Sequence, residues 1–277
     1  MHPIITVLSV LPIFGGSFLL RRPKIWKKLD ARPWFNEYNE ANRTKSSVRN
    51  PINAWTALSY WYAGLFTLEL ALVRLHVKPK NCADSLPHWN CALGFALMWV
   101  GASGFLFHAS LSARWRYLYS AATMGASTLP VIFSGFRTMQ RRNDEPRFLA
   151  GAALAYAACY VVARKSGLVS TVLRLCLSCT LAAEWSSMRK YQNEESGTMW
   201  GLGGVAVMVG MIMHAVDVYR RHLPERSLAY QLAWMGHPSW NVLSGVGVAL
   251  IMRALREVNE PWCAASRPSV VNANEAS

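Results

Sequence analysis

Two histidines stand where the chain leaves little room for a polar side chain. His108 lies near the end of GASGFLFHASL (residues 101–111), and His237 opens the apolar run GHPSWNVLSGVGVALI. An imidazole at membrane depth is costly, and it ordinarily faces a bundle interior or a wet cavity, where it can ligate a metal or carry a proton. A histidine there can also persist as a packed, hydrogen-bonded residue. His214 and Asp217 mark a third place. Three residues apart near the end of another apolar run, they share a face if that run is helical. Asp217 could be an acid or ligand near His108, or could pair with Arg220 or Arg221 at the membrane surface.

The elements that would position these groups are read from composition. Of 277 residues, 52% are hydrophobic and only 16% charged, with 12 tryptophans. Several apolar runs approach the roughly 20 residues needed to cross a bilayer, so the expected fold is an all-α, multi-pass membrane protein. The net charge of +14 comes from lysines and arginines in the segments between apolar runs. That placement points to anionic lipid headgroups as partners and away from nucleic acid. Six cysteines without regular spacing give no disulfide framework, and Cys176 and Cys179 read as buried thiols in an apolar helix.

Residues 1–20 read as an N-terminal hydrophobic helix or anchor, with a removed signal as the alternative; no positive charge precedes their apolar stretch. Residues 21–51 form a basic polar segment with one glycosylation sequon, Asn42-Arg43-Thr44. Residues 52–256 hold seven apolar runs, at about 52–74, 91–111, 117–136, 148–163, 167–185, 199–219 and 237–255. A polar tail occupies 257–277. The expected architecture is therefore a seven-transmembrane-helix bundle with an extra N-terminal hydrophobic helix. Recurrent glycines on these runs suit close helix packing. Because successive spans alternate in direction, the end of the second run, the end of the sixth and the starts of the first and seventh fall on one membrane face. His108, Asp217 and His237 should meet there. Pro130 is the strongest helix-breaking candidate for a transporter reading, and Tyr117 and Tyr119 read as interfacial anchors.

Three motifs on that face carry a resemblance. Phe107-His108-x-x-Leu111 ends the second run, His237-x-x-Trp240 opens the seventh, and Pro51-x-Asn53-x-Trp55 opens the first. In this order they resemble the alkaline ceramidase family, within the superfamily that also holds the progestin and adipoQ receptors. The resemblance implies a seven-helix membrane enzyme of the endoplasmic reticulum or Golgi that uses zinc to hydrolyse the amide of ceramide-type lipids. In that family three histidines hold the zinc, one closing Gly-x-Gly-Ser-x-x-Phe-His and two from His-x-x-x-His on the last helix. A serine four residues before the first histidine and an aspartate about eleven after it complete the site.

The chain departs from that pattern at three places. The serine position is Gly104, with Ser103 one residue earlier and so turned by about 100° around a helix. The aspartate position falls at Tyr119 or Ser120, and no acidic residue occurs between His108 and Asp144. Asn241 replaces the last histidine. The resemblance thus implies metal ligation by His108, His237 and Asn241, a carboxamide being better suited to hard cations than to zinc. A replacement ligand could also come from Asp217 or from His222. A calcium site before the first helix, implied by the same family, would fall on Glu37, Asn39 and Glu40. The departures leave two expectations: a zinc-dependent lipid amidase, or a non-catalytic relative that binds lipid or a partner.

Overall fold

The computed structural model describes residues 6–12, 15, 50–74, 87–138, 193–219 and 235–257, with isolated positions between 150 and 161 and at 186, 227 and 228. These residues are helical or form short connections, with no strand among them. Five long helices are defined: α1 (Pro51–Arg74), α2 (Pro87–Ser110), α3 (Ala113–Thr138), α4 (Glu194–Tyr219) and α5 (Gly236–Glu257). They correspond to five of the seven expected runs. Described positions between 150 and 161 are helical and fall in the run at 148–163. The run at 167–185, Glu37, Asn39, Glu40, Asn42, Cys176, Cys179 and His222 lie outside the described residues.

Local chemistry explains why several helices start earlier than their apolar stretches. Pro51 and Pro87 occupy the first positions of α1 and α2, where a missing N–H costs nothing and a fixed φ favours the helix. Before α4, the Asn193 side-chain oxygen accepts from the Ser196 N–H at 2.7 Å. Glu194 and Glu195 then complement the positive end of the helix dipole. Pro130 does not break α3, which continues through it as one helix.

Three of the helices, spanning Pro51–Val73, His88–Ser110 and Glu194–Asp217, are long and apolar enough to cross a membrane. Their surfaces agree with that. α4 exposes Leu202, Val205, Met208, Val209 and Ile212, and α2 exposes Phe95 and Trp99. Large apolar side chains are stable in such positions when the surroundings are hydrocarbon.

The principal neighbours run α3–α2–α1–α5–α4. α1 and α2 are antiparallel and close: a Cβ at Gly64 would lie 2.5 Å from the Gly94 carbonyl oxygen. α5 lies antiparallel to α4, and the exposed side chains of Arg253 and Glu195 meet at 3.7 Å across that pair. Residues 6–12 form a short helix against α1, where the Trp61 indole N–H donates to the Leu8 carbonyl at 3.1 Å. Inside the arc, Trp89 stacks on Phe133 with centroids 4.0 Å apart, within a core that includes Leu93, Leu97, Val100 and Met252.

Candidate metal and lipid site

The site forms where α2 and α4 end and where α1, α3 and α5 begin. The turn after α2 fixes His108. Its carbonyl accepts from the Asn50 N–H at 3.1 Å, tying the start of α1 to the end of α2. Leu111 then adopts a left-handed conformation, φ 53°, and its N–H bonds back to the Phe107 carbonyl. Glycine usually takes this helix-ending position, because a side chain there is strained. Leucine is held there because its side chain is buried to 1% exposure, so packing offsets the strain. The Phe-His-x-x-Leu spacing thus has a structural meaning: it stops α2 one turn after the imidazole.

His108 is fully buried and His237 nearly so. Their Nε2 atoms face each other at 3.1 Å. As a hydrogen bond, this contact requires a proton on one nitrogen; with a shared cation, both lone pairs would point to the ion. Two imidazole nitrogens on a tetrahedral zinc with Zn–N bonds of 2.0–2.1 Å stand about 3.4 Å apart, close to the spacing seen.

α4 adds two further donors. One ligand atom from each of His214, Asp217 and His237 lies within 4.8 Å of the others, a set that could hold a metal ion. Gly236 allows the approach, since a Cβ there would lie 2.6 Å from the Cβ of Asp217 and 2.5 Å from the Met213 carbonyl oxygen. The His214 ring stacks on Trp240, centroids 5.7 Å apart, and lies 5.4 Å from the ring of His237. Sequence spacing puts His214 and Asp217 on one face of α4. It does not reveal that α5 begins against that face.

Asn241, on the turn after His237, is fully buried. Its side-chain oxygen accepts from the Tyr119 hydroxyl at 3.3 Å and its NH2 donates to Thr56 Oγ1 at 3.3 Å. The Ser59 hydroxyl donates to its backbone carbonyl. Tyr119 is a buried member of this site, not the interfacial anchor its type suggests. Its ring lies edge-on to His108, centroids 5.7 Å apart. It also fills the space beside Gly104, where a Cβ would come within 2.9 Å of Tyr119 Cε2. Tyr119 therefore links two positions singled out in the sequence: it packs on Gly104 and hydrogen-bonds Asn241. Ser103 does not take the serine's place, because its hydroxyl donates to the Trp99 carbonyl of its own helix at 2.6 Å.

Trp240 and Ser244 lead away from the histidines into an apolar cavity of about 100 Å³. Its walls come from all five helices, including Tyr60, Leu97, Ala126, Trp200 and Val248. From Trp240 to Leu255, the lining on α5 extends about 22 Å along the helix at 1.5 Å per residue. One lipid leaflet contributes about 15 Å of hydrocarbon, half the bilayer core. The site therefore places nitrogen and carboxylate donors beside Trp240, which also lines the apolar cavity. Comparison with protein-family models, with curated proteins and with solved structures finds no match to this chain.

Proposed function

We propose that the chain is a ceramidase-like membrane hydrolase, in which a zinc ion held at His108 and His237 serves cleavage of a long-chain lipid amide. The observation that carries this reading is the 3.1 Å approach of the two imidazoles, with Trp240, three residues after His237, in the wall of an apolar cavity. When bound, zinc polarises an amide carbonyl and activates water at neutral pH. The chain's own residues do the rest. The cavity takes the lipid chain and orients the amide beside Trp240, while the surrounding side chains limit access of bulk water. The Asp217 carboxylate lies beside His237, where it can accept a proton or bind the ion. Residence in the endoplasmic reticulum or Golgi membrane, with seven spans and an additional N-terminal helix, belongs to the same reading and rests on the resemblance.

One observation favours a second reading. Tyr119 fills the space beside Gly104 and engages Asn241, so neither the family's serine nor its aspartate has a counterpart in that corner. A chain of this kind could bind a ceramide-type lipid without cutting it. The two readings separate on one assay. Purified protein supplied with zinc is incubated with ceramide, and free long-chain base is measured beside bound, uncut lipid. Hydrolysis abolished by His108→Ala supports the enzyme. An unchanged rate in that variant contradicts it, and stoichiometric retention of uncut lipid supports the binding protein.

A further inference from the structure

The resemblance assigns the ion's ligands to α2 and α5, whereas the structure brings a different element to the same point. His214 and Asp217 stand on one face of α4, and α5 starts against that face because Gly236 has no side chain. One donor atom from each of His214, Asp217 and His237 falls within 4.8 Å of the others. His108 Nε2, 3.1 Å from His237 Nε2, brings another imidazole alongside. Position 241 is occupied differently. Its carboxamide oxygen accepts from Tyr119 and its nitrogen donates to Thr56.

We propose that His214, Asp217 and His237 hold one divalent first-row transition metal ion, with His108 packed beside them against His237. The ligands that complete the site thus come from α4 and not from residue 241. The inference rests on the reading of His237 as an ion ligand, and it does not require amide cleavage. Imidazoles with one carboxylate form a borderline donor set that suits zinc or iron(II) and is a poor match for calcium or magnesium, which take oxygen ligands. The stacking of His214 on Trp240 limits rotation of that ring. Ring orientation of this kind is what supporting contacts supply at metal sites. Trp240 is also the residue at which the apolar cavity meets the site, so an ion held here would lie beside the polar end of a lipid in that cavity.

The test uses the full chain in detergent, stripped with a chelator and titrated with zinc and, anaerobically, with iron(II). Cobalt(II) serves as an optical probe, and elemental analysis of the protein as purified separates zinc from iron. The wild type is expected to bind one ion per chain. His214→Ala and Asp217→Asn should each weaken binding at least 100-fold, beyond the range of about 10–100-fold typical when a supporting contact is lost. Asp217→Glu, which keeps the carboxylate, should retain binding. Asp217→Asn preserves the side chain's size, and metal-free melting curves of all variants report whether they fold. Binding weakened less than tenfold in both variants overturns the assignment to α4. So does a wild type that binds none of the three metals. If ion binding follows the expected pattern while ceramide stays uncut, the metal site stands and the hydrolase reading falls.

Discussion

Gly203 on α4 and Gly247 on α5 face each other so closely that a Cβ on either would lie 2.7 Å from the other's carbonyl oxygen. This contact sets the distance between the two helices that carry His214, Asp217 and His237. Gly201, two residues from Gly203, has open space where its Cβ would be. The two positions therefore make a matched comparison. Gly203→Ala or Gly247→Ala must part the backbones and should cost about 1–3 kcal/mol. Gly201→Ala should leave stability unchanged or raise it by up to about 1 kcal/mol, since alanine favours helix. Thermal unfolding in detergent reads both, and equal effects at Gly201 and Gly203 would contradict the close-packed crossing.

A second contact predicts coupling. Gly104→Ala alone should destabilise the chain, because the new methyl meets the Tyr119 ring at 2.9 Å and Ala57 Cβ at 3.1 Å. Overpacking of this kind costs about 1–3 kcal/mol. In a Tyr119→Leu background the same change should cost clearly less, giving a coupling energy of about 0.5–3 kcal/mol in a double-mutant cycle. Strict additivity would mean that Tyr119 does not fill that space.

The five long helices were legible in the sequence because hydrocarbon leaves a long apolar helix few alternatives. Alternating directions brought His108, Asp217 and His237 to one end from run order alone. The rest depended on contacts between helices. Tyr119 reads from its type as an interfacial residue, and only the α2–α3 packing shows it buried over Gly104. His214 can join Asp217 and His237 because α5 starts against α4, which Gly236 permits and no spacing announces. Leu111 shows the converse. Its place in the motif is plain in the sequence, but the reason for it, a left-handed residue that ends α2, is a backbone property.

The Tyr119–Asn241 hydrogen bond supports the packing of the site without carrying its chemistry. Tyr119→Phe removes the donor to the Asn241 oxygen and should cost about 0.5–1.5 kcal/mol. It should leave the ion content unchanged. A melting temperature unaffected by Tyr119→Phe would argue against this bond, and loss of the ion would place Tyr119 closer to the chemistry than its geometry implies.

The cavity makes a separate prediction about lipid. Ala126 is a buried wall residue on α3. Ala126→Phe puts a ring into the cavity and should weaken binding of a long-chain lipid at least tenfold while leaving ion content at the wild-type level. Undiminished lipid binding in a folded variant would place the lipid elsewhere.

His237 is the residue on which the whole account turns, since it faces His108 on one side and belongs with His214 and Asp217 on the other. The most direct test is therefore the metal content of detergent-purified full-length protein, measured beside His237→Ala. A metal site at His237 predicts about one transition-metal ion per chain in the wild type and almost none in the variant. No metal in either, or the same content in both, would contradict it.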